Sequence, residues 1–209
     1  RGVYTFCMCP GGVVVPSMNE EGQLCINGMS YYARDGKNAN SAILVNVQTS
    51  DFASDHPLAG IEFQRTLERK AFELGGGSYH APVQLLKDYF HNCKTTQLGA
   101  VKPTYQPGIQ FADINELFPD FINRNLKEGL FIMNQKMKGF IDDDTIITGI
   151  ESRSSAPVRI ERDKTYQSCI AHLYPIGEGA GYAGGIMSAA VDGMMCAEMI
   201  LKEDDYGSN

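Results

Sequence analysis

The stretch Tyr174-Pro175-Ile176-Gly177-Glu178-Gly179-Ala180-Gly181-Tyr182-Ala183-Gly184-Gly185-Ile186 decides how the chain is read. Five of the ten residues from Gly177 to Ile186 are glycine. The run Cys169 to Ile176 before them has the length of a strand. After them Ile186, Ala189, Ala190, Gly193, Met194, Ala197 and Leu201 recur at helical spacing. The pattern predicts strand, glycine-rich loop and helix, the helix running from Gly185 to about Leu201. A GxGxxG string lies inside it, from Gly179 to Gly184. A dinucleotide fingerprint also needs a following strand and an acid about 20 residues on. The 25 residues after Gly184 hold a helix and no second strand, so the literal motif is rejected.

The chemistry of the loop suggests another ligand. Glycines let the backbone approach a bound group closely. The start of the helix offers unpaired N–H groups and the positive end of the helix dipole. Glu178 can accept hydrogen bonds from sugar-like hydroxyls. Hydroxyls beside a group that gains from a positive dipole describe a flavin. Its ribityl chain would meet Glu178, and its N1–C2=O edge would meet the helix start. The residues expected to contact it are Gly177, Glu178, Gly179, Ala180, Gly181, Tyr182, Ala183, Gly184, Gly185 and Ile186. The competing reading is a plain strand–turn–helix junction packed by small residues.

Working outward, residues 1–50 read as short strands. Val3 to Cys9 alternates with period two, Pro10-Gly11-Gly12 breaks it, and Val13 to Val15, Leu24 to Ile26 and Ala42 to Val47 follow. Cys7 and Cys9 fall on one strand face and read as buried small residues, with a redox role for Cys9 as the alternative. Residues 51–140 change to helical spacing. Asp55 and Pro57 open a helix that Gly75-Gly76-Gly77 ends, with His56 in its cap. Pro82 to Phe90 reads as a second helix start. Asp113 with Glu116 resembles a capping box, and Pro119 precedes a helix to about Lys138. Residues 141–176 return to strand signals at Thr145 to Ile150, Val158 to Ile160 and Cys169 to Ile176, and the tail from Asp204 to Asn209 reads as disordered. The expected fold is α+β. Antiparallel and mixed strands from 1–50 and 141–176 would share a sheet or barrel, 51–140 would be a mainly helical insertion, and the last helix would face the flavin.

The 209 residues are 43% hydrophobic and 21% charged, which excludes a disordered chain. A net charge of −7 with no Lys/Arg cluster argues against nucleic acid or an anionic membrane as partner. Six cysteines without a CxxC pair suit neither a disulfide scaffold nor a structural zinc site, and the four histidines lack metal spacing. These features predict a reduced, cytoplasmic protein with no metal. No run approaches the length of a membrane span.

The glycine segment resembles the C-terminal flavin-contacting motif of bacterial FAD-dependent dehydrogenases with two dinucleotide-binding folds, in an uncharacterised branch of that family. Cys7-Met8-Cys9-Pro10-Gly11-Gly12, Asn27-Gly28-Met29-Ser30, Arg34-Asp35, Asn38-Ala39-Asn40-Ser41 and the run from Glu151 to Ile160 are similar to it as well. The resemblance implies FAD as cofactor and a small-molecule substrate, with Arg153, Ser154, Pro10, Gly11 and Gly12 as further contacts. Arg153 would lie near the flavin or an anionic substrate. Such proteins carry an N-terminal βαβ unit for the pyrophosphate. None is present, and Arg1 stands where a Met would open a complete chain, so the expectation is the C-terminal portion of a longer oxidoreductase, inactive alone. No catalytic acid or base, electron acceptor or oligomeric state follows from the residues. The rival is a non-enzymatic binding or interaction domain in which the loop is only structural and residues 51–140 dock a partner.

Overall fold

Alternating side chains make Val3–Cys9 strand β1, which pairs antiparallel with β4, Asn40–Val45. The register runs from Val3 opposite Val45 to Phe6 opposite Ala42, then slips before Cys9 meets Asn40. Cys7 sits at this bulge with φ +47, so the period-two alternation fails there. Cys7 is exposed rather than buried as expected, and Cys9 is half-buried. Strands β2, Gly12–Pro16, and β3, Ile26–Ser30, form a second antiparallel ribbon with Gly12 opposite Ser30.

The structure is a computed structural model describing residues 1–207, with side chains described to residue 202. It is an α+β mixture without a barrel. The strands of 1–50 and 141–176 do not share one sheet. The N-terminal strands form the two ribbons. Strand β7, Ile146–Thr148, joins instead a three-stranded sheet whose centre is β5, Ala81–Leu85. The other edge of that sheet is β6, Ile109–Phe111, parallel to β5. Pro82 to Leu85 fall in the stretch expected to start a helix. Every residue of β5 is buried, the polar Gln84 included, so no exposed polar face marks its period. The helix begins one residue later as the short α2, Leu86–Phe90. Val158–Ile160 and Cys169–Ile176, expected as strands, are irregular.

Helix α1, Ala59–Leu74, opens where the Leu58 N–H donates to His56 Nδ1 at 3.1 Å. It stops at Gly75, where a β-carbon would stand 2.0 Å from the His80 carbonyl oxygen. Helix α3, Asp120–Lys136, buries Ile122, Leu126, Gly129 and Leu130, one face at helical spacing. Gly129 is needed there, since a β-carbon would press on Val3 of β1. Helix α4, Ile186–Gly207, continues past Leu201. Of the tail expected to be disordered, Ser208 and Asn209 lie outside the described residues.

The chain divides into two compact units. The first contains residues 1–51 and 65–152, hence all seven strands, α2 and α3. Its core holds Leu24, Val83, Tyr89, Ile114 and Leu117. A buried polar network runs through it. Gln84 Nε2 donates to the Cys93 carbonyl at 2.8 Å, its Oε1 accepts from the Ile114 N–H at 2.8 Å, and Tyr89 Oη donates to Asn123 Oδ1 at 2.8 Å. The second unit contains residues 52–64 and the chain from Arg153 onward. It holds the start of α1, the glycine loop and α4.

Candidate functional site

Gly177 opens the loop with φ +71. The Gly181 N–H donates to the Glu178 carbonyl at 2.8 Å and the Tyr182 N–H to the Gly177 carbonyl at 3.0 Å, closing two nested turns. Ala180 is buried, and its carbonyl accepts from the Ile160 N–H at 3.1 Å. No strand leads into the loop, so the expected strand–turn–helix unit is corrected to an irregular segment, loop and helix. The glycines divide into two kinds. Gly181 has φ +83, and a β-carbon on it would stand 2.4 Å from the Val158 carbonyl oxygen, so the fold itself requires it. At Gly179 and Gly184 nothing lies within 4 Å of where a β-carbon would be, and neither has a positive φ. The folded chain gives no reason for glycine at those two positions.

The start of α4 faces the same loop. Ser188 Oγ accepts from the Gly185 N–H at 3.2 Å, and the Ala189 N–H donates to the Gly185 carbonyl at 2.9 Å. The N–H groups of Ile186, Met187 and Ser188 have no acceptor within the helix, as at any helix start. Ile186 and Met187 are 89% and 75% exposed, so apolar side chains flank these donors. The Glu178 carboxylate is exposed.

An ion pair lies at the base of the loop. Arg162 Nη2 donates to Asp192 Oδ1 at 2.6 Å and Nη1 to Asp192 Oδ2 at 2.9 Å. The hydrogen bond from Arg162, helped by the Gly177 N–H, holds the Asp192 carboxyl below the usual range for aspartate. The same contact raises Arg162 further. Burial pushes up the Cys196 thiol, one helical turn along α4. The Tyr182 ring is covered by two guanidinium groups, Arg162 at 3.6 Å and Arg159 at 4.4 Å. The face of α4 turned to the loop segment is Ala189, Asp192, Gly193 and Cys196, small residues and one acid. The apolar stripe read from the sequence is offset from it, and Ile186, Met194 and Leu201 on that stripe are exposed.

Gly177 to Ile186 are thus contiguous in the second unit, with Arg162 and Asp192 at their base. Arg153 and Ser154 belong to the same unit and are half-buried. Their segment runs past α1, where Gln64 Nε2 donates to the Ser155 carbonyl at 3.4 Å, and its far end, Val158 to Ile160, touches the loop. Pro10, Gly11 and Gly12 lie in the first unit. Gly11, with φ +57, would place a β-carbon 2.2 Å from the Arg34 carbonyl, and the Gly12 N–H donates to the Asn38 carbonyl at 2.7 Å. Backbone packing accounts for both glycines. His172 is exposed with φ +62. Among the described residues no group of three or more His, Cys, Asp or Glu is placed to hold a metal, and no helix is long and apolar enough to cross a membrane.

The sequence reading overlooked Arg162, Tyr166 and Asp192. Thirty residues separate Arg162 from Asp192, so no local spacing joins them. A signal was nonetheless available: Asp192 is the one charge between Ile186 and Ala197. A lone acid in so apolar a helix calls for a partner.

An uncharacterized protein of Clostridium beijerinckii is 53% identical over 206 residues, which cover 98% of this chain and 39% of that relative. The chain therefore spans about two fifths of the relative's length. A family model described as FAD-dependent protein, C-terminal domain-like, matches residues 1–154. That span includes Pro10, Gly11, Gly12, Arg153 and Ser154 and stops before the glycine loop, which the relative's alignment reaches. With a match over most of its length, the chain belongs to the family of FAD-dependent protein, C-terminal domain-like.

Proposed function

We propose that this chain is the C-terminal part of an FAD-dependent oxidoreductase of dehydrogenase type, and that the loop Gly177–Ile186 forms the flavin-ring side of the cofactor site. The observation that carries this reading is the open space at Gly179 and Gly184 beside the unpaired N–H groups of α4. Side chains there would meet nothing of the protein, so an outside group that needs close backbone approach explains their absence. The donor set fits a flavin. Glu178 would accept from ribityl hydroxyls, the N–H groups of Ile186, Met187 and Ser188 would donate to the ring's carbonyl edge, and exposed Ile186 would cover apolar ring surface. When bound, the flavin would supply the two-electron chemistry. The residues of this chain bind it, orient it, and place a positive dipole end where negative charge grows on reduction. Arg153 and Ser154 are proposed as further contacts, to the flavin or to an anionic small-molecule substrate. A reducing, cytoplasmic location is part of this reading, the setting in which six cysteines without a CxxC pair stay as thiols.

The test uses the full-length parent protein. It should purify yellow, with flavin absorbance. Glu178→Ala should lower flavin affinity roughly tenfold to hundredfold, the worth of a charge-assisted hydrogen bond. Gly184→Val should lower it further. Full flavin content in both variants would make the loop a plain structural junction and favour a non-enzymatic binding or interaction domain.

A further inference from the structure

We propose that Arg162 and Asp192 are positioning residues, a latch that fixes both ends of the glycine loop on α4 and so sets the shape of the site. The side chains of Arg162 and Asp192 are only 11% and 13% exposed. At the loop entry, Arg162 Nη1 donates to the Pro175 carbonyl at 2.9 Å, and Asp192 Oδ2 accepts from the Gly177 N–H at 2.8 Å. At the loop exit, Arg162 lies on the Tyr182 ring, whose hydroxyl donates to the Ile160 carbonyl at 3.0 Å. Its guanidinium also lies 4.1 Å from the Tyr166 ring centre. One guanidinium therefore touches the entry, the exit and the helix beneath them.

The chemistry of the pair suits orientation better than stability. Replacing a buried ion pair by well-packed apolar residues of similar volume is often neutral or stabilising, so a pair kept at this point needs another reason. A planar fork can meet a carboxylate with two parallel hydrogen bonds, reach a carbonyl with a third, and stack on rings with its faces. Lysine cannot do all of these. Gly177 has φ +71, and its N–H ends on Asp192, so the carboxylate fixes the direction in which the chain enters the loop. Asp192 lies nearly two turns inside α4 and does not cap the helix start. The loop is held at Gly177 and Tyr182, while Gly179 between them and Gly184 just beyond stay open. That is the pattern of a rigid frame around an accessible backbone.

The role assigned to the cofactor rests on the flavin reading above, whereas the latch itself does not. The experiment separates the two. Full-length protein carrying R162M/D192L, which exchanges the pair for apolar residues, is compared with wild type and with R162K. Amide hydrogen exchange is read on peptides covering residues 174–185, with thermal unfolding as the control for fold. The double variant should retain its unfolding midpoint and exchange about tenfold or more faster in the loop, because local opening no longer breaks the latch. Its flavin should be held more weakly, with a shifted reduction potential. R162K keeps the charge and should give an intermediate loop exchange rate. Unchanged loop exchange in a folded double variant overturns the proposal. Faster loop exchange with unchanged flavin affinity and potential upholds the latch and overturns the flavin reading. Should the double variant not fold, R162K decides: loop exchange equal to wild type overturns the latch, and faster exchange upholds it.

Discussion

Gly181 rests on the carbonyl oxygen of Val158 so closely that a β-carbon at 181 would stand 2.4 Å from it. Three residues on, Gly184 faces open space. The two glycines should respond oppositely to one added methyl group. Gly181→Ala combines the clash with a left-handed φ and should destabilise the second unit by roughly 2 kcal/mol or more. Gly184→Ala should stay within about 0.5 kcal/mol of wild type. Urea unfolding followed by circular dichroism measures both. Equal losses would mean that the loop is packed in solution differently from the structure.

The 209-residue chain on its own should bind FAD weakly. It offers the ring-side loop and one helix start, and an exposed helix end contributes about 1 kcal/mol to binding an anion. Titration calorimetry should give a dissociation constant weaker than about 10 μM, equivalent to less than roughly 7 kcal/mol. Micromolar or tighter binding would show that these residues hold most of the cofactor's contacts by themselves.

Two carboxylates give the stability opposite responses to pH. Asp192 is held below its ordinary range by Arg162, so its contribution is present above about pH 4 and is lost as pH falls through the lowered native value. Burial raises Glu151, which therefore favours the native state when protonated. Its contribution is present below its unfolded value and is lost as pH rises through the native one. Glu151→Gln should accordingly raise stability at pH 7 and leave it unchanged near pH 4, measured by denaturant unfolding. R162M/D192L should flatten the loss of stability below about pH 4. A Glu151→Gln protein less stable than wild type at pH 7 would contradict the assigned sign.

Gln84 is fully buried, and its amide serves both the Cys93 carbonyl and the Ile114 N–H. Gln84→Ala leaves those backbone groups unpaired and opens a cavity, so it should cost about 3 kcal/mol. Lys136→Ala, on the exposed end of α3, serves as control and should change stability by less than about 0.5 kcal/mol. A small effect of Gln84→Ala would mean that water replaces the amide.

How much of this was legible depended on the range of the interactions. The helices α1 and α3 followed from local periodicity and from Gly75 and Pro119, because caps and breakers act within a few residues. The glycine loop was visible for the same reason. Strand β5 was not, since a strand buried on both faces loses the alternation that identifies it. The expected burial of Cys7 failed because Cys7 itself sits at the bulge with φ +47, which breaks the alternation there, while Cys9 beyond it stays half-buried.

The sequence by itself determined the α+β character, the position of the loop before a helix, and the acidic, globular nature of the chain. Local propensity and composition suffice for those. Only the tertiary structure distinguished Gly181, which packs against Val158, from Gly179 and Gly184, which face open space. It alone joined Arg162 to Asp192 across thirty residues. Both outcomes depend on which distant backbone comes to lie beside the loop. A glycine reads the same in a sequence whether its missing side chain makes room for the protein or for a ligand.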